Sequence, residues 1–356
     1  MYKRQLQIRS GERSGLATVV LYLAITAPSA VIGQEQTIRP DGVSSSIQEA
    51  IGRGLQYLRR VQNPDGSWRS NGRRGTYPAA MTALAGMAMI GSGSTPTRGE
   101  YWLQVRRASN FLIGSSRKNG FITVLNDEAR GMYGHGFSTM FLSQVYGMEE
   151  DQRRQRKIHD VLSRATELVS KSQSRAGGWL YTPDQSGDEG SVTVTQIQAL
   201  RACRNAGVTV PAETIKRAVK YIHDSANPDG SIRYSVKSGG GGRAPITAAA
   251  VAVLYNAGRY DDPIALKALE YSKKTLPING GGHGHHYYAQ LYLAQALYQT
   301  GGDGWDEYFS KMAKWLLSQQ QSNGSWNGDG VGPVYGTAIA LTILQLPHSF
   351  VPIYQR

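Results

Sequence analysis

The chain repeats itself about every 50 residues, and that period leaves it few folds to adopt. One pattern recurs six times: a cationic amphipathic helix, a Gly-containing turn, then an Ala-, Thr- and Leu-rich helix closing on Gly. The first copy runs from Ile47 to Gly91. The others begin at about Tyr101, Asp160, Pro211, Pro263 and Trp305. The first helix of each pair has one wet side, as in Arg53, Arg59 and Arg60 or Lys216, Arg217 and Lys220, so it belongs on the outside. The second, such as PITAAAVAVLYNAG, is apolar nearly all round and belongs inside. Gly91, Gly147, Gly207, Gly258 and Gly301 stand where left-handed caps would end these inner helices. An open stack of such pairs needs polar end repeats. Here the last inner helix stays apolar and runs into LPHSFVPIY, which also needs burial. The expectation is therefore an all-α fold, six helical pairs closed into an α6/α6 barrel.

The segment before the repeats reads as an address. Lys3, Arg4, Arg9 and Arg13 precede the uncharged run Leu16–Ala27 and the small-residue stretch ending at Gly33. Residues 1–33 are read as a secretory signal, 34–46 as a linker and 47–356 as the toroid domain. The run is too short for an ordinary membrane span, and no later stretch is long and apolar enough. The expected location is secreted, periplasmic or cell-envelope. The chain carries a formal charge of +13, spread along its length, which favours anionic partners without any specific nucleic-acid motif. Its single cysteine, Cys203, excludes a disulfide framework and any multi-Cys zinc cage.

The turns carry a motif. Gln62-x3-Gly66-x-Trp68, Gln173-x3-Gly177-x-Trp179 and Gln320-x3-Gly324-x-Trp326 repeat one spacing, with Tyr57-Leu58 and Trp315-Leu316 upstream. The Gly permits a tight turn, the Trp covers the outer-helix end, and the Gln can bond freed backbone groups. All nine are read as structural. The pattern resembles the QW repeat of squalene and hopene cyclases. More broadly, it resembles the prenyltransferase and squalene-oxidase repeats of the terpenoid cyclase/protein prenyltransferase superfamily, over roughly residues 47–350. The resemblance implies an α/α toroid with a central cavity opening at the inner-helix starts.

The chemistry of that superfamily is not written in the chain. The D-x-D-D acid of squalene-type cyclases and the D-D-x-x-D box of magnesium–diphosphate chemistry are absent. The D-x-C zinc ligands of protein prenyltransferases cannot form, since Arg201-Ala202 precedes Cys203. The C-G-E-Q thioester stretch is missing as well.

What remains is polar residues at or before inner-helix starts: Tyr133, His135, Asp188, Glu189, Arg243, His285, His286, Tyr287 and Tyr335. If the repeats are equivalent, these starts share one rim, where helix dipoles favour an anionic or hydroxyl-rich ligand. His135, Arg243, His285 and Tyr335 are expected to meet there. No cofactor is expected. A metal at His283, His285 and His286 is the one alternative, but the spacing matches no specific zinc motif. Three activities stay open: binding of a small molecule without turnover, an isoprenoid-active enzyme with an unrecognised acid, and a lyase or hydrolase of anionic glycans.

Overall fold

The structure is a computed structural model, and it describes residues 42–72, 75–280 and 284–355. The proposed signal, most of the proposed linker and His283 lie outside the described residues. Twelve α-helices follow in order: α1 Ser45–Arg60, α2 Pro78–Gly91, α3 Trp102–Gly114, α4 Gly131–Met148, α5 Gln152–Ser172 and α6 Gly190–Asn205. The second half holds α7 Ala212–Asp224, α8 Ala244–Asn256, α9 Pro263–Thr275, α10 His286–Thr300, α11 Asp303–Gln319 and α12 Pro333–Gln345. Among the described residues there is no strand, only the isolated bridges Ser116–Ile122 and Ala226–Ile232. Helix α1 starts at Ser45, inside the stretch read as linker, because the Ser44 side chain caps it by accepting from the Ile47 N–H.

Even-numbered helices form the inner layer. They touch in a cycle, α2–α4–α6–α8–α10–α12–α2, and the odd-numbered helices pack around them. Every residue of α2 and of α8 is buried, whereas α1 and α7 bury one face. That difference follows from composition: Ala, Thr and Gly on the inner helices let neighbours approach closely, while the Arg and Lys of the outer helices stay in water.

The Gln-Gly-Trp turns weld adjacent repeats. Trp68, Trp179 and Trp326 are fully buried, and each indole N–H donates to an outer-helix carbonyl: Leu58, Val169 and Leu316. Gln62 donates to the Gly66 and Gln104 carbonyls, Gln173 to those of Gly177 and Thr214. Gln320 donates to Gly324 and, across the seam, to Ala50 of α1. Gly324 has φ +88°, and a Cβ there would meet the Arg53 carbonyl at 2.5 Å, so only Gly fits. Gly66 meets the Arg107 carbonyl in the same way. The sixth repeat therefore grips the first as the first grips the second, and the ring is closed.

Two of the five expected glycine caps differ. Gly207, Gly258 and Gly301 have positive φ, but Gly91 and Gly147 lie within α2 and α4. After α2 the left-handed residue is Gly93, two positions on. Beyond α12, single 3-10 turns at Leu346–His348 and Pro352–Tyr354 carry the chain across the C-terminal ends of the inner helices. Val351, Ile353 and Tyr354 are buried there, and Gln299 of α10 donates to the Tyr354 carbonyl at 3.4 Å. Cys203 is buried in α6, and burial pushes its thiol well above the usual range, which suits packing rather than reactivity.

Candidate functional site

A cavity of about 560 Å³ opens at the N-terminal ends of the inner helices. The N-cap positions of those helices are Tyr77, Arg130, Glu189, Arg243, His285 and Gly332. The first five line the cavity. Tyr133, Tyr181, Tyr234, Tyr271, Tyr288 and Tyr335 complete a tyrosine-rich wall. One to two helical turns deeper the lining becomes apolar, with Ala80, Met81, Leu84, Phe137, Leu291 and Ile339. The polar mouth and apolar interior follow from the repeat itself, since helix starts are polar and helix bodies are not.

The electrostatics alternate around the ring. Three helix starts hold a carboxylate: Glu128 accepts from Ala79 and Ala80 N–H of α2, Glu189 from Ser191 and Val192 of α6, and Asp329 from His286 and Tyr287 of α10. Each satisfies otherwise unpaired N–H groups and the helix dipole. At α4 and α8 the N-cap is instead Arg130 or Arg243, neither making a side-chain cap bond. A cation at the positive end of a helix is unfavourable by itself. Both arginines are exposed at the mouth, and Arg130 lies 4.3 Å above the Tyr181 ring. Tyr181 and Tyr234 hydrogen-bond through their hydroxyls, joining the loops before α6 and α8.

Glu189 is the one acidic side chain of the described lining. It is buried, and Tyr133 donates to it at 3.4 Å while also bonding the Ser191 hydroxyl. Burial pushes the Glu189 carboxyl above the usual range, against the opposing effect of bonds from Ser191 and Val192. Burial, and then the Glu189 charge, hold the Tyr133 phenol well above its ordinary value.

Of the residues singled out from sequence, Tyr133, Glu189, Arg243, His285 and Tyr335 line the cavity, and four do not. His135 is fully buried behind the wall, where its Nδ1 accepts from the Ile122 N–H at 3.2 Å. The same turn-to-helix bond is made by Thr82 to Trp68, Thr193 to Trp179, Thr247 to Ile232 and Thr337 to Trp326. His135 is thus a core substitute for threonine and does not reach the mouth. Asp188 accepts from the Val236 N–H at 3.1 Å and anchors the neighbouring loop. His286 and Tyr287 turn outward onto Trp315 of α11, with ring centroids 4.6 and 5.9 Å from it. Arg130, Tyr181, Tyr234 and Tyr271 were missed. Arg130 had a signal, the same Arg-before-helix position as Arg243. Among the described residues no cluster of three or more His, Cys, Asp or Glu could hold a metal.

No protein-family model matches the chain. It is similar to the drimenyl diphosphate synthase of Streptomyces showdoensis, 25% identical over 236 residues that cover 66% of this chain and 39% of that protein. It is also similar to a lanosterol synthase of Aspergillus fumigatus, 38% identical over 82 residues covering 23% of this chain and 10% of the synthase. The matched region therefore spans well under half of either relative. Among solved structures, the type II terpene cyclase MstE of Scytonema in complex with merosterolic acid A superposes with TM-score 0.58 at 15% identity, covering 86% of this chain and 98% of that one. An α-1,6-mannanase of Salegentibacter in complex with α-1,6-mannotriose gives TM-score 0.61 at 10% identity, covering 85% and 99%. These likenesses point to the terpenoid cyclase-like α/α-toroid superfamily. Cyclases and a glycan hydrolase share this architecture, so the fold alone leaves the chemistry open.

Proposed function

We propose that the chain is an exported toroid that binds a small amphiphilic anion in its mouth, without orthodox terpene cyclase or protein prenyltransferase chemistry. The observation that carries this reading is the pair of arginines, Arg130 and Arg243, set at helix starts where neighbouring helices carry acids. An anion between them would relieve an unfavourable arrangement, and the apolar lining beneath would take the rest of the molecule. No helix among the described residues is long and apolar enough to cross a membrane. Export rests on the signal read at residues 1–33.

The test is native mass spectrometry of protein purified from its own envelope, with titration of octanoate as a defined probe. Arg243→Ala and Arg130→Ala should each weaken octanoate binding about tenfold, since a charge-assisted contact contributes roughly 1.5 kcal/mol. Binding unchanged in both variants removes the reading.

A second reading has one observation in its favour. Glu189 is a lone buried carboxyl among tyrosine rings, and burial raises its affinity for a proton. It would be the acid of an isoprenoid-active enzyme whose carbocations the ring faces stabilise. Glu189→Gln would then abolish turnover of a polyprenyl substrate while leaving its binding intact. Glycan hydrolysis by paired carboxylates has less support, because the described lining offers one carboxylate where two are needed. A lyase using Tyr133 as base is also poorly served, since its phenol is held protonated.

A further inference from the structure

The cavity is shallow, and buried, hydrogen-bonded polar groups stand further along the inner helices than its apolar lining. On α2, α4 and α12 the deepest lining residues are Leu84, Phe137 and Ile339. Each stands six residues beyond the first residue of its helix, a depth of about 9 Å at the α-helical rise. Below them Gln198 of α6 donates to Gln295 of α10 at 2.6 Å, both amides being buried. Tyr292 of α10 is fully buried and stands edge-on to Tyr288, which lines the cavity, at 4.9 Å. The C-terminal segment then covers the far end of the ring. A hydrocarbon driven past the lining would have to part the Gln198–Gln295 bond and take the partner from the buried Gln198 amide N–H and the Gln295 amide oxygen.

Resting on the binding reading above, we propose that the ligand is a short-bodied anion whose apolar part is limited to about eight extended carbons, with the Gln198–Gln295 layer setting that limit. The preference excludes long linear chains as fully inserted occupants. A volume of about 560 Å³ over so small a depth also leaves room for a broad body.

The experiment is a calorimetric titration of the full chain with butanoate, hexanoate, octanoate, dodecanoate and hexadecanoate, each below its aggregation threshold. Affinity should rise roughly fourfold per added methylene up to octanoate, as burial of apolar surface dictates. From octanoate to hexadecanoate it should change by less than about threefold, the excess chain staying in water. In the double variant Gln198→Ala with Gln295→Ala, the break should move to longer chains. Steady gain through hexadecanoate in the wild type overturns the length limit and leaves the anion reading standing. A folded double variant with its break unmoved overturns the role of the glutamine layer. Absence of binding by every carboxylate, or binding indifferent to Arg130→Ala and Arg243→Ala, removes the anion reading and this inference with it. Should the double variant fail to fold, the wild-type series still decides the length limit.

Discussion

Replacing Trp179 by Ala should cost about 3–5 kcal/mol of unfolding free energy, the range for a fully buried large aromatic. The indole is wholly inside, its N–H bonded to the Val169 carbonyl at 2.7 Å and its backbone N–H to the Thr193 hydroxyl at 2.9 Å. The substitution therefore opens a cavity and strands an outer-helix carbonyl at the joint between α5 and α6. Equilibrium denaturation in urea measures the loss. Trp179 is not among the residues lining the mouth, so octanoate affinity of the folded fraction should be unchanged. Unaltered stability with lost binding would mean that the tryptophan serves the ligand rather than the repeat.

His135 should make the protein acid-sensitive. Its Nδ1 accepts a backbone N–H, so that nitrogen carries no proton and the ring is neutral. Burial lowers its pKa to about 4, from an unfolded value near 6.5. Between those values the unfolded chain takes up a proton that the folded chain refuses. The stabilising effect of keeping the ring neutral is complete above about pH 6.5 and is lost as pH falls toward 4, by about 3 kcal/mol. His135→Thr supplies the hydroxyl that four other repeats use in this place and cannot titrate. Urea unfolding of both proteins at pH 7 and pH 4 isolates the effect, because carboxylates titrate alike in the two. The wild type should lose about 3 kcal/mol more than the variant over that interval, and parallel losses would refute the assignment.

His135 also marks where sequence reasoning stops. The ring was legible because Gln, Gly and Trp recur at one spacing and each has a physical duty in a tight turn. Helix starts are less sharply written. His135 was expected at the rim, but the second inner helix begins at Gly131, four residues before it. One turn of helix moved His135 from the mouth into the core and put Arg130 in its place. Arg243 and His285 stand at helix starts as expected, because a Gly-rich stretch and the ensuing helix fix their register. Tyr181 and Tyr234 were missed for another reason: they lie on loops, and only the folded ring brings two turns from different repeats into contact. The expectation for His286 and Tyr287 failed through helical phase. They follow the cap residue by one and two positions, which rotates them toward Trp315.

The seam between Gln320 and Ala50 has an arithmetical consequence. An open array tolerates gain or loss of a unit, since its ends are interchangeable with any added copy. A closed circuit fixes its own tally, because a seventh pair would have to widen every joint at once. Duplication is thus barred as a route to a larger or differently shaped cavity in this chain. Change must come through the side chains at the six helix starts and the loops leading to them, the parts whose alteration leaves the circumference untouched.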